Sequence, residues 1–154
     1  MKKYISCLAF LLLAGFSIFA QRSEQITKII ESEKVTFAQV SYLPALYTNL
    51  ISDEESETAI SDNAFQALKN EGYFSNDINA DSEITLGQIS CLYAKALNLK
   101  GGLFYSLFHS ERYAFKELKA RGVLPNESDP NMKLSGREAI DIFNTCLTII
   151  GENE

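Results

Sequence analysis

The chain has 154 residues, three cysteines and one histidine, and its formal net charge is −6. An acidic chain of this size repels nucleic acid at long range, so we do not expect nucleic-acid binding. One histidine among scattered carboxylates supplies few of the groups from which a nucleophile–base pair or a catalytic metal cluster is built. We therefore predict a protein without enzymatic activity.

The first twenty residues have the pattern of a secretory signal peptide. Lys2 and Lys3 precede the apolar run YISCLAFLLLAGFSIF, and Ala20 is a small residue before Gln21. Cleavage after Ala20 is expected to leave 134 residues with a formal charge of −8 and no membrane span. Because Phe16 follows LLLAG where a lipoprotein has its lipidated cysteine, no lipid anchor is predicted. The predicted location is the periplasm or the medium.

Residues 21–154 repeat themselves at an interval of about fifty residues. NAFQALKNEGYFSNDINADSEITLGQISCLYAKALNLKG begins at Asn63, and YAFKELKARGVLPNESDPNMKLSGREAIDIFNTCLTIIG begins at Tyr113. TFAQVSYL, from Thr36, matches TLGQISCL, from Thr85, and indicates a third, partial copy. We predict a single domain that contains a partial repeat at 34–50 and repeats at 63–101 and 113–151.

Each repeat has the pattern of a helix, a polar loop and a second helix. The first helix is expected to end at Gly72 or Gly122, because a helix often ends at a glycine in the left-handed conformation. The second helix is expected to begin with a capping box, in which a hydroxyl residue and a Gln or Glu three residues later bond each other's backbone N–H groups. The three predicted boxes are Thr36–Gln39, Thr85–Gln88 and Ser135–Glu138.

The apolar residues of the second helix follow at helical spacing, as Ile89, Leu92, Tyr93 and Ala96 illustrate. The predicted fold class is all-α, with about two and a half helix-loop-helix repeats packed as one domain. At most, we expect short β-bridges just before the second helices, at Val35, Ile84 and Leu134.

The blocks AFQALKNEG…EITLGQIS and AFKELKARGVLPNESDPNMKLSGREA resemble the S-layer homology module of bacterial envelope proteins. The resemblance covers about half of residues 21–154 and implies helix-loop-helix architecture. It also implies anchoring to a cell-wall glycan or another envelope component. The favoured function is therefore an exported, non-enzymatic envelope protein whose repeats contact a protein or a cell-wall glycan.

The polar loops also resemble calcium loops of the EF-hand or dockerin type. DINADSEITLGQ spaces oxygen-bearing residues as such loops do, and so does ESDPNMKLSGRE. The alternative function is therefore a calcium-responsive binding module, although simple turn chemistry explains the same residues. No other cofactor is expected. The candidate ligands are Asp77, Asn79, Asp81, Glu127, Asp129, Asn131 and Glu138.

The two full repeats are joined by GGLFYSLFHSER, residues 101–112, which is rich in aromatic residues. One interpretation is a core helix, with Ser110 as a cap at its far end. The other is a partner-binding patch, because large aromatic side chains dominate interface energetics. The candidate partner-binding residues are Leu103, Phe104, Tyr105, Leu107 and Phe108.

Two cysteines, Cys91 and Cys146, remain after the predicted cleavage, because Cys7 lies in the signal peptide. An exported protein permits a disulfide between them, but small buried thiols are also common in helix cores, and geometry rather than the number of cysteines decides between the two. The bridge is therefore an open hypothesis at this point.

Overall fold

The computed structural model describes residues 24–52, 60–100 and 110–151. These ranges contain six helices and no strand, which confirms the all-α prediction. The predicted signal peptide at 1–20 lies outside them. The helices are α1 (residues 24–30), α2 (Phe37–Tyr47), α3 (Ile60–Asn70), α4 (Leu86–Ala96), α5 (Glu111–Ala120) and α6 (Gly136–Gly151).

All three predicted capping boxes are present, and they set where α2, α4 and α6 begin. In the box before α4, the Thr85 N–H donates to Gln88 Oε1 at 2.9 Å and the Gln88 N–H donates to Thr85 Oγ1 at 3.3 Å. Each box therefore satisfies two N–H groups that have no acceptor inside the helix. The same reciprocal bonds join Thr36 to Gln39 and Ser135 to Glu138.

Four of the six described helices end at a residue in the left-handed conformation. The predicted glycines, Gly72 and Gly122, both have φ of 74°. The structure adds Asn49 and Asn98, with φ of 56° and 47°, after α2 and α4. The N–H of the apolar residue that follows donates back into the last turn in each case, as in a Schellman motif. These bonds run from Leu50 to Ala45, Tyr73 to Leu68, Leu99 to Ala94 and Val123 to Leu118.

Helix α6 is five residues longer than α2 or α4, because it lacks such an ending. The repeat pairs Asn98 with Thr148, whose hydroxyl donates to the Asn144 carbonyl at 3.1 Å from within the helix. A β-branched residue is disfavoured in the left-handed conformation that Asn98 adopts. The helix therefore continues to Gly151.

The segments that precede α2, α4 and α6 bond to one another in a closed ring. The first residue of each of these helices donates its N–H to a carbonyl in the segment that precedes another of the three helices. That carbonyl lies three or four residues before the N-cap residue of the second helix. We call this set of backbone bonds the closing ring. Its members run from Phe37 to Ser82 (3.1 Å), from Leu86 to Met132 (2.9 Å) and from Gly136 to Ser32 (2.9 Å).

The predicted bridges fall close to their expected positions within the closing ring. The isolated antiparallel bridges join Thr36 to Glu83 and Thr85 to Lys133, one residue away from the positions predicted. Val35, one of the predicted bridge residues, donates its N–H to the Leu134 carbonyl at 2.9 Å. Only single residues pair in this way, because the capping boxes turn the chain into a helix immediately afterwards.

The core lies where α2, α4 and α6 contact one another, while α3 packs on α2 and α5 packs on α4. The predicted face of α4 is buried, and the Tyr93 ring meets the Phe143 ring edge-to-face at 5.0 Å. Ala139, Phe143 and Cys146 are the buried residues of the matching α6 face. The predicted apolar stripes therefore form one core.

Candidate functional site

A groove of about 610 Å³ lies between α5, the start of α4 and the loop that precedes α6. Its backbone floor lies next to the Leu86–Met132 bond of the closing ring: the Gly87 N–H donates to the Pro130 carbonyl at 2.8 Å. A Cβ on residue 87 would stand 3.2 Å from that oxygen, so the glycine allows this close approach. Thr85, Phe115 and Asn131 complete the uncharged part of the wall.

The charged wall of the groove comes from α5. Arg112 and Lys116 are exposed and lie four residues apart, so they occupy the same face of this helix. Lys119 continues the row, and Glu111 is the acidic residue of the wall. Three cations and one carboxylate give the groove a local formal charge of +2 within a chain of −6. Such a site attracts anions.

The ammonium group of Lys119, unlike the charged groups of Arg112 and Lys116, is engaged with other residues of the described ranges. The group donates to the backbone carbonyl of Asn126 and, at 3.5 Å, to that of Ser128. It also lies 5.4 Å from the centre of the Phe115 ring, in a cation–π contact. Lys119 therefore fastens the loop to α5 and shapes the groove, while Arg112 and Lys116 are placed to meet a ligand.

A second cavity, of about 470 Å³, lies at the opposite ends of these helices. Tyr47, Leu97, Ile149 and Ile150 form its apolar walls. Arg121 also lines it and is held by Glu117 Oε1, which accepts from Arg121 Nε at 2.8 Å.

Three of the candidate calcium ligands use a side-chain oxygen in a local turn or a cap. Asn79 Oδ1 accepts from the Asp81 N–H at 3.0 Å, and Asp129 Oδ1 accepts from the Asn131 N–H at 2.7 Å. Glu138 Oε2 accepts from both the N–H and the hydroxyl of Ser135. No three acidic, histidine or cysteine side chains within 24–52, 60–100 and 110–151 converge on a metal-sized site. Asp77 and Glu127 are exposed.

The hypothesised disulfide between Cys91 and Cys146 is not formed in the structure. Cys146 lies beside Tyr93, whereas Cys91 is two residues from Tyr93 along α4 and points to a different side of that helix. Cys91 instead lies near Glu111 of α5. Burial raises the pKa of the Cys91 thiol and raises that of Cys146 to about 12, so both stay protonated at neutral pH.

The candidate partner-binding residues, Leu103, Phe104, Tyr105, Leu107 and Phe108, lie outside the described residues, as does His109. The role of this segment stays a prediction. Sequence reasoning missed the cationic groove. The signal was present in the aligned repeats, where Arg112 and Lys116 replace Asp62 and Gln66 fifty residues earlier.

Comparison with known proteins finds no match among family models, curated proteins or solved structures. In the part of the chain that the structure describes, no helix has both the length and the apolar character needed to cross a membrane.

Proposed function

We propose that this chain is an exported, non-enzymatic bacterial envelope protein that binds an anionic cell-wall glycan. The observation that carries the proposal is the groove beside α5, where Arg112 and Lys116 are exposed above a polar floor. Export is supported by the composition of residues 1–20, and envelope binding by the resemblance of the repeats to the S-layer homology module.

The chemistry of the groove suits a saccharide that carries carboxylate or phosphate groups. The guanidinium of Arg112 can hold such a group with two parallel hydrogen bonds, and the Lys116 ammonium adds a compact positive charge. Asn131 supplies an exposed amide, which suits sugar hydroxyls. The volume of the groove, about 610 Å³, accommodates a few sugar rings.

The proposal is tested by sedimentation of the full chain with bacterial sacculi. Sacculi that retain their covalently attached anionic polymers should pull the protein down, and stripped sacculi should leave most of it in solution. The double variant Arg112→Glu/Lys116→Glu should lose binding by at least about tenfold, because two favourable charge contacts become repulsive. Raised salt should weaken the wild-type interaction, since the groove is exposed.

A matched control makes the same change of charge away from the groove. Lys28→Glu/Arg137→Glu alters two exposed cations that do not line it, and the Lys28–Glu24 pair that it breaks is a surface pair worth little stability. Equal losses in both double variants would show that net charge alone governs binding and would overturn the proposal. Equal binding to stripped and intact sacculi would do the same.

A further inference from the structure

The residues that surround the groove beside α5 have structural counterparts beside α3. We call the groove between α4, α5 and the loop before α6 the second junction. The first junction is the matching region between α2, α3 and the loop before α4. The backbone bonds correspond one to one. The bond from Phe37 to Ser82 (3.1 Å) matches the bond from Leu86 to Met132 (2.9 Å). The bond from Ala38 to Ala80 (2.9 Å) matches the bond from Gly87 to Pro130 (2.8 Å).

The correspondence between the two junctions extends to the lysine that bonds to each loop. Lys69 of α3 donates to the Ile78 carbonyl at 2.9 Å and lies 5.4 Å from the centre of the Phe65 ring. Lys119 makes the same two kinds of contact at the second junction, also at 5.4 Å from its ring. The two junctions therefore place equivalent residues at equivalent positions, so their side chains can be compared directly.

The charges at these equivalent positions differ, and the local net charge changes sign. Asp62 stands where Arg112 does, Gln66 where Lys116 does, and Asp81 where Asn131 does. Asp62, Gln66 and Asp81 are all exposed. The first junction thus has two carboxylates and one engaged lysine, a local charge of −1, against +2 at the second junction.

We infer that the residues at positions 62 and 66 exclude the anionic glycan from the first junction, so that each chain binds one glycan segment, at the second junction. The inference rests on the proposed function and identifies the pairs 62/112 and 66/116 as the specificity-determining positions. A difference of three unit charges, each worth about fivefold at contact distance in water, separates the two affinities by on the order of a hundredfold.

The test is calorimetric titration of the full chain with a short oligogalacturonate, a linear saccharide in which every ring bears a carboxylate. The wild-type chain should bind one oligomer. Asp62→Arg/Gln66→Lys should bind two, because the first junction then has the charges of the second. The reciprocal variant Arg112→Asp/Lys116→Gln should bind none. All four positions are exposed, so each variant should retain the helical circular dichroism of the wild type.

Asp141→Arg/Thr145→Lys is the matched control, since it makes the same charge change at the same spacing on the exposed face of α6. Its stoichiometry should stay at one. A wild-type stoichiometry of two would overturn the inference, and so would an Asp62→Arg/Gln66→Lys variant that still binds one oligomer. In both cases glycan binding itself, and thus the proposed function, would stand. A wild-type chain that binds no oligomer would overturn both.

Discussion

Gly136 and Ile29 are in contact so close that no side chain fits between them. A Cβ built on residue 136 would stand 1.5 Å from the Ile29 carbonyl oxygen, far inside van der Waals distance. The neighbouring Ser32 carbonyl accepts the Gly136 N–H, so the start of α6 is pressed against the end of α1. This contact joins the segment between α1 and α2 to the start of α6, and it thereby completes the closing ring.

Gly136→Ala is therefore expected to destabilise the fold by about 3 kcal/mol or more, because backbone must move to admit the methyl group. Gly151→Ala in the same helix is the matched control: nothing lies within 4 Å of its added Cβ. That change should be neutral or stabilise by up to about 1 kcal/mol through helix propensity. Urea unfolding followed by circular dichroism measures both. A small effect at 136 would show that α1 does not pack as described.

Substitutions at two of the left-handed helix ends are expected to have opposite effects on stability. Gly122→Ala should cost about 1 kcal/mol, because φ of 74° is strained for any residue with a Cβ, even though the space around it is open. Asn98→Gly should be neutral or slightly stabilising, because glycine adopts φ of 47° without that penalty. Thermal unfolding of the two variants decides the point, and similar shifts of the same sign would contradict it.

Cys146 predicts an alkaline loss of stability. Burial raises the pKa of its thiol from 9.0 to about 12, so between these values the unfolded chain releases a proton that the folded chain keeps. Stability is therefore fully present below pH 9 and falls as pH rises toward 12, by up to about 1.4 kcal/mol per pH unit. The slope of the unfolding free energy against pH should be smaller in Cys146→Ala.

The burial of Cys146 can also be tested by the rates at which the two cysteines react with a thiol reagent. Cys91 is half-buried and Cys146 is fully buried, so a thiol reagent should label Cys91 first in the folded protein. The chain unfolded without reductant should show both as free thiols. A pH slope unchanged in Cys146→Ala, or equal labelling rates, would contradict the burial of Cys146.

Calcium is expected to leave the melting temperature unchanged. The carboxylate of Glu138, the only acid at the twelfth position of either loop, already caps α6 through Ser135. Asp129 is engaged in a turn with Asn131. Differential scanning calorimetry with millimolar calcium or with a chelator provides the measurement. A calcium-dependent rise that disappears in Glu138→Gln would instead support the calcium-responsive alternative.

Much of the fold could be predicted because its signals are local. The Thr85–Gln88 box starts a helix through bonds within four residues, and Gly72 ends one through its own backbone freedom. Asn98 could also have been recognised, since an asparagine between apolar residues after a helical stripe is a known ending. The contact between Gly136 and Ile29 could not, because it joins segments about a hundred residues apart and depends on how the helices pack.

The candidate site could be predicted only in part from the sequence. Its cations are visible in the sequence, and the repeats place Arg112 opposite Asp62 and Lys116 opposite Gln66. That these residues face a groove depends on the Gly87–Pro130 contact, which joins two repeats. A lysine on a helix usually lies on a solvated face, so its charge alone did not distinguish Lys116 from any other surface residue.

The closing ring also limits how such a chain can grow and how it folds. An open solenoid has two free ends, so further repeats can be stacked on it and each can unfold from the end. Here the bond from Gly136 to Ser32 joins residues 104 positions apart. The start of α6 thereby occupies the place beside α1 and α2 where a further repeat would attach. Duplication of a repeat would need a new ring rather than a longer stack. Formation of the ring spans most of the described chain, so folding should be slower than in helical proteins with only local contacts.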